Sequence, residues 1–172
     1  LAFALKWARK KWLAGMILKN SEKIICGNSY LAGLVRRTFP DVEEKITVVN
    51  PGVDNLITHN QRLTTQLKNK YSLNNKIILL SVGRLVKRKG FDKVIECLPE
   101  VLRQAPNLIY VILGNGEEAE NFKLKIKTLK LEKNIIIIPG APDSQRNIWY
   151  DLADIFIMPS RNIGGDFEGF GI

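Results

Sequence analysis

Four runs of apolar residues recur after residue 75 and constrain the fold of the chain more than any other feature. They read KIILLSV from residue 76, NLIYVILG from residue 107, NIIIIPG from residue 134 and IFIMPS from residue 155. Stretches with helical spacing of apolar residues separate them, near residues 91–104, 117–131 and 145–153. Because strands that are apolar throughout need cover on both faces, this alternation is typical of a parallel sheet between helices. The sequence therefore predicts an α/β fold.

The first 75 residues are less regular. A helix is expected over residues 3–19, strands at KIIC and KITVV, and between the strands a helix that begins after Asn28 or Ser29 and ends before Pro40. The polar stretch from residue 55 to residue 75 is interpreted as a linker with one surface helix. We therefore expect three segments, with bounds 1–54, 55–75 and 76–172.

The loops after the four apolar runs are the places to look for a ligand, because ligands of parallel sheets bind beyond the carboxyl ends of the strands. In the first of these loops, SVGRLVKRKG, four cations are crowded between two glycines: Arg84, Lys87, Arg88 and Lys89. Like charges held this close repel one another, and a bound anion would offset this repulsion. A helix is predicted to begin directly after them, and its free N–H groups and dipole also favour an anion.

The overall charge also points to an anionic partner. The chain has 26 Lys and Arg against 17 Asp and Glu, a formal net charge of +9. Nucleic acid, phosphorylated metabolites and acidic membranes all fit such a surplus. The cations concentrate in one loop and one helix, without the interleaved aromatic residues of a single-strand binder, which argues against nucleic acid. Cys26 and Cys97 show no metal-ligand spacing and are interpreted as small buried apolar residues in a reducing compartment.

The strand-end motifs carry a resemblance to a known family. SVGRLVKRKGFD, GNGEE, ADIFIMPS and FEGFGI, in this order and at these spacings, resemble family-4 glycosyltransferases of the GT-B architecture. KIICGNSYLAGLV through KITVVNPGVD resembles the end of that family's amino-terminal domain. The resemblance implies two Rossmann-like domains with a nucleotide-sugar donor between them and transfer with retention of configuration. Residues 1–54 would be the tail of the acceptor-side domain, and residues 76–172 an incomplete donor-binding domain that is inactive alone.

The resemblance also implies roles for single residues. Arg84, which follows Gly83, and Lys89 match the family's arginine and lysine that bind the donor diphosphate. Fixed cations suit this role because negative charge grows on the diphosphate as the sugar–phosphate bond breaks. Lys87 and Arg88 match no such position and are interpreted as solvated.

The remaining site residues also come from the resemblance. Glu168 matches the glutamate that contacts hydroxyls of the donor sugar, and the backbone of Gly169, Phe170 and Gly171 is expected to approach the sugar and the phosphates. The loop around Gly140 is expected to line the nucleobase through main-chain atoms. For Gly114, a donor-facing role and a plain turn both remain open.

No cofactor or metal is expected, because GT-B enzymes generally need no bound metal. Asp151 and Asp154 are interpreted as the solvent face of a helix, and His59 as a lone surface histidine. The expected partners are a UDP- or GDP-sugar and a glycan or lipid-linked acceptor, in the cytoplasm or at the inner membrane face. The basic amino-terminal helix could lie on anionic lipid or pack under the first domain. A non-catalytic nucleotide-sugar-binding fragment and a nucleic-acid-binding domain are the alternative functions.

Overall fold

The computed structural model describes residues 2–52 and 60–164. These residues form two compact units, one before and one after residue 54. The first unit contains helix α1 (Ala2–Asn20), strand β1 (Ile24–Cys26), helix α2 (Ser29–Thr38), a short 3-10 helix (Pro40–Lys45) and strand β2 (Ile46–Val48). Strands β1 and β2 pair in parallel, and a small apolar core forms beneath them. Helix α2 begins as predicted, because the side chain of Asn28 accepts a 2.8 Å hydrogen bond from the backbone N–H of Leu31.

The second unit alternates helices and strands along the chain. Its elements are α3 (Gln61–Lys70), β3 (Ile77–Val82), α4 (Phe91–Gln104), β4 (Leu108–Leu113), α5 (Ala119–Thr128), β5 (Ile135–Ile138), α6 (Asp143–Leu152) and β6 (Ile155–Phe156). The strands form one sheet in the order β5-β4-β3-β6, and every neighbouring pair is parallel. The predicted α/β fold with a parallel sheet is thereby confirmed. The chain leaves β3 toward β4 and later returns to its other side as β6, so the strand order reverses between β3 and β6.

Side chains of the central strands alternate between two cores. Leu79 and Tyr110 face the core under α4 and α5, whereas Leu80 and Val111 face the core under α3 and α6. All six residues of β4 are buried, which explains why this strand is apolar throughout. The stretch interpreted as a linker and surface helix also contributes to the second core. Leu63 and Leu67 of α3 pack against it, and Leu73 is only 1% exposed.

The structure corrects two side-chain interpretations. Cys97 is exposed on α4, so only Cys26 is the buried thiol that the sequence suggested for both. Asp154 does not belong to a solvent-facing helix, because α6 ends at Leu152. One carboxylate oxygen of Asp154 instead accepts a 2.7 Å hydrogen bond from the backbone N–H of Ile78 in β3. Asp154 thus joins the start of β6 to the neighbouring strand.

Candidate functional site

A groove of about 330 Å³ lies at the carboxyl ends of β3, β4 and β5. Because parallel strands end at one edge of the sheet, their three loops meet here. The groove is lined by Val82, Gly83, Arg84, Leu113, Gly114, Asn115, Gly140, Ala141 and Arg146. Four residues selected from the sequence, which come from three separate loops, are therefore brought together: Gly83, Arg84, Gly114 and Gly140.

The loop after β3 fixes the backbone on both sides of Arg84. Before it, the N–H of Gly83 donates to the carbonyl of Leu113 at 2.9 Å. After it, the N–H of Leu85 donates to the carbonyl of Asn115 at 2.8 Å, and the side chain of Leu85 is completely buried. The side chain of Arg84 itself is exposed. The fold thus places an exposed guanidinium beside the groove, on a backbone held by hydrogen bonds on both sides.

Lys89 occupies a different environment from the other cations of its loop. It ends a short 3-10 helix (Lys87–Lys89) and is only 8% exposed. Its Cε and Nζ atoms lie 3.4 and 3.5 Å from where a Cβ atom would stand on Gly83, so the ammonium reaches the end of β3. Lys87 is exposed, in line with its interpretation as solvated, whereas Arg88 is half-buried, which departs from that interpretation. The loop therefore directs one lysine inward and one outward.

A buried polar chain supports the edge of the sheet beside this loop. The hydroxyl of Tyr110 donates to the Oγ of Ser81 at 2.9 Å, and the Ser81 hydroxyl donates to the carbonyl of Ile157 at 2.7 Å. Burial raises the pKa of the Tyr110 phenol well above its ordinary value, so this donor keeps its proton. The chain of hydrogen bonds crosses from β4 through β3 to the segment after β6.

Sequence reasoning missed two polar residues of the groove, Asn115 and Arg146. Arg146 lies in the first turns of α6, after the β5 loop. A cation near the start of a helix that follows a strand-end loop is the sequence feature that could have identified it. Among the described residues that line the groove there are two arginines and no carboxylate. The groove is thus suited to an anion that accepts several hydrogen bonds, such as a phosphate.

Lys89 is not among the residues that line the groove, and the other predicted residues cannot be placed there. Glu168, Gly169, Phe170 and Gly171 lie outside the described residues, as does His59. Within residues 2–52 and 60–164, no cluster of three or more His, Cys, Asp or Glu side chains could hold a metal ion. No helix in the same ranges is long and apolar enough to cross a membrane.

The fold and the groove define the class of protein. A parallel sheet that helices cover on both faces, with a cationic groove at its carboxyl edge, is the arrangement of nucleotide-binding α/β domains. The profile of the family described as Glycosyl transferases group 1 matches residues 63–172, which include every described residue of the groove. The chain belongs to this family.

Two of the relatives found by sequence comparison are named as glycosyltransferases. A GDP-mannose-dependent alpha-(1-6)-phosphatidylinositol monomannoside mannosyltransferase of Mycolicibacterium smegmatis is 30% identical over 71% of this chain and 33% of its own length. An uncharacterized glycosyltransferase of Haemophilus influenzae is 32% identical over 74% of this chain and 35% of its own length. The chain thus spans about a third of the length of these relatives.

Solved structures share the fold. HepE of Anabaena in complex with UDP-glucose superposes with a TM-score of 0.72 at 18% identity, over 87% of this chain and 42% of HepE. A glycosyltransferase of Rickettsia africae superposes with a TM-score of 0.70 at 23% identity, over 89% of this chain and 41% of that chain. These likenesses confirm the predicted fold, a partial Rossmann-like domain of the GT-B type.

Proposed function

We propose that this chain forms the donor-binding part of a retaining family-4 glycosyltransferase. The enzyme would move a hexose from a nucleotide-diphosphate sugar to a glycan or lipid-linked acceptor. The observation that carries the proposal is the groove at the carboxyl edge of the sheet, where Gly83, Arg84, Gly114, Gly140 and Arg146 meet. It lies within the part of the chain that the family profile matches.

The cations supply the chemistry that the leaving group needs. When the bond between the anomeric carbon and the phosphate oxygen breaks, the nucleoside diphosphate departs with the electron pair. Arg84 would offer its planar fork to phosphate oxygens, and Lys89 would supply a compact charge. Because Lys89 is nearly buried, its charge acts with less screening than that of the exposed Lys87. Cations fixed before the reaction stabilise the growing charge without reorganisation, and no bound metal is needed for this step.

The donor sugar and the nucleobase would lie on opposite sides of the diphosphate. Glu168 would accept hydrogen bonds from hydroxyls of the donor sugar, and the backbone of Gly169, Phe170 and Gly171 would approach the sugar and the phosphates. Main-chain atoms near Gly140 would face the nucleobase. In the proposed reaction the acceptor oxygen bonds to the anomeric carbon on the face that the diphosphate leaves, and the hydroxyl proton passes to the departing diphosphate. The product therefore retains the donor's configuration.

The comparisons support a nucleotide sugar and leave two bases open. The name of the Mycolicibacterium relative specifies GDP-mannose, whereas HepE is bound to UDP-glucose. The proposed donor is therefore a GDP- or UDP-sugar, and the groove's main-chain lining near Gly140 suits either base.

The proposed site of action is the cytoplasmic face of a membrane. The Mycolicibacterium relative is named for a lipid-linked acceptor. In this chain, helix α1 exposes Trp12, Leu13 and Ile17 beside Lys10 and Lys11, a combination that suits the surface of an anionic bilayer. Sedimentation with vesicles tests this part of the proposal: binding to phosphatidylglycerol vesicles and not to phosphatidylcholine vesicles is expected, and equal recovery with both contradicts it.

Titration calorimetry with GDP-mannose, UDP-glucose and a single-stranded oligonucleotide tests the proposed donor. We expect one of the two nucleotide sugars to bind and to compete with its own nucleoside diphosphate. The bound nucleotide sugar should also raise the melting temperature of the protein. Arg84→Ala should weaken this binding, while Arg103→Ala, which removes an exposed arginine of α4, should not. Binding of the oligonucleotide alone, with a steep dependence on salt, would contradict the proposal and favour a nucleic-acid-binding domain. Transfer activity is then measured with the full-length enzyme.

A further inference from the structure

We infer that Arg161 is a positioning residue, which holds the loop that carries Lys89 in place for the donor diphosphate. The inference rests on the proposed function. Arg161 follows β6, and its guanidinium contacts both oxygens of Asp92 in the first turn of α4, at 2.9 and 2.8 Å. Its Nε donates to the carbonyl of Lys87 at 2.9 Å, and its backbone N–H donates to the carbonyl of Arg88 at 2.8 Å.

These contacts enclose Lys89 from both sides along the chain. The carbonyls of Lys87 and Arg88 precede it, and the carboxylate of Asp92 follows it at the start of α4. Because all three are held by the single residue Arg161, the path of the backbone between them is restrained. The inward direction of the Lys89 side chain, toward Gly83, follows from that path.

The backbone of the same two segments also meets directly. Gly90, which links the 3-10 helix to α4, has a positive φ of 73°, and a Cβ atom on it would lie 2.1 Å from the carbonyl oxygen of Pro159. Only glycine allows this approach. The segment after β6 and the basic loop therefore pack without an intervening side chain, and Arg161 reinforces this contact.

The location explains why this contact matters for a ligand. The strand order reverses between β3 and β6, and ligands of such sheets bind at the point of reversal. Arg161 joins the loops after these two strands. The segment that contains it continues toward residue 168, whose glutamate is proposed to hold the sugar.

Arginine is the residue type that this arrangement requires. The ion pair with Asp92 is sheltered, with side-chain exposures of 31% and 18%, and a planar fork can engage both carboxylate oxygens while Nε reaches a carbonyl. A lysine would keep the charge and lose this geometry. The exposed pair of Arg103 and Glu100, at 72% and 63%, lies on the same helix and offers a matched control.

The test compares Arg161→Lys with Arg103→Lys by calorimetric titration of GDP and UDP, well below the melting temperature of each variant. Arg161→Lys is expected to weaken binding of the nucleoside diphosphate by about threefold to tenfold, the effect of disturbing one hydrogen bond. Arg103→Lys should bind as the unsubstituted protein does. Equal affinity of all three proteins overturns the inference.

A double-mutant cycle with Lys89→Met separates positioning from general stability. If Arg161 acts through Lys89, Arg161→Lys should weaken binding little further once Lys89→Met is present. Fully additive losses would show that Arg161 acts independently of Lys89 and overturn the inference, while leaving the proposed function intact. If the unsubstituted protein binds neither GDP nor UDP, the proposed function itself is wrong, and the inference falls with it.

Discussion

The carbonyl oxygen of Gly83 lies 1.8 Å from the place that a Cβ atom would take on Gly114. The two glycines directly follow the neighbouring strands β3 and β4, so the backbones just beyond these strand ends are in direct contact. The N–H of Gly114 also donates to the carbonyl of Ile138 in β5 at 3.0 Å. The floor of the groove is therefore made of main chain from three strands, which leaves room above it for a ligand.

Replacement of Gly114 by alanine should destabilise the second unit. The new methyl group would overlap the Gly83 carbonyl, and the φ of 151° at this position is one that L-residues rarely adopt. Backbone strain alone costs about 1 to 3 kcal/mol, and the overlap adds to it. The free energy of unfolding in urea measures the loss. Gly52→Ala is the control, because nothing lies within 4 Å of its Cβ position; similar losses for both variants would contradict the argument.

In the full-length enzyme, substitution of the inward Lys89 should lower the rate of sugar transfer far more than substitution of the outward Lys87. Lys89→Ala and Arg84→Ala should each lower the rate of sugar transfer by about a hundredfold to a thousandfold, because each removes a cation from the diphosphate in the transition state. Lys87→Ala should change the rate by less than about tenfold, through screened attraction that fades with salt. Steady-state transfer rates at low and high salt measure these effects. Equal losses for Lys87 and Lys89 would mean that the loop acts as a diffuse basic patch.

Asp154 and Asp151 should contribute differently to stability, although both are exposed. Asp154→Ala removes the acceptor for the N–H of Ile78 and should lower the free energy of unfolding by about 1 to 3 kcal/mol. Asp154→Asn keeps an acceptor oxygen and should lower the free energy of unfolding by less than Asp154→Ala does. Asp151→Ala, on the surface of α6, should stay within about 0.5 kcal/mol of the unsubstituted protein. Chemical denaturation measures the free energy of unfolding of the three variants. Equal free energies of unfolding for the two alanine variants would refute the structural role of Asp154.

Stability at acid pH should depend on Glu96, which joins α4 to α5. Hydrogen bonds from Lys125 and Lys93 lower its pKa from 4.5 to about 2. A carboxyl whose pKa is depressed by folding stabilises the folded state above its ordinary pKa, and this contribution disappears as the pH falls toward about 2. The difference in stability between the unsubstituted protein and Glu96→Gln should therefore shrink over this range.

Urea denaturation at several pH values between neutrality and this acid limit measures that difference. Glu120→Gln is the control for loss of one carboxylate, since Glu120 pairs with Lys123 within α5 and is exposed to water. A difference for Glu96→Gln that stays constant with pH would contradict the role assigned to its ion pairs.

Local patterns predicted the elements whose signals are contained in neighbouring residues. The apolar runs predicted β3, β4 and β5 because each strand is covered on both faces. Helix α2 was predicted from Asn28 because its cap is a contact three residues along the chain. Helix α3 was predicted only as a surface helix, because its apolar pattern is weak. The structure explains this weakness, since only Leu63 and Leu67 of the helix pack against the core.

The sequence by itself determined the alternation of strands and helices and the positions of the glycine-rich loops, because periodicity and turn chemistry act between residues that are close along the chain. Only the tertiary structure decided what meets across the sheet. It paired Arg161 with Asp92, 69 residues apart, brought Arg146 into the groove and buried Lys89 beside Gly83. Such contacts depend on the order and register of parallel strands, and a side chain carries no local signal of the partner that the sheet will place beside it.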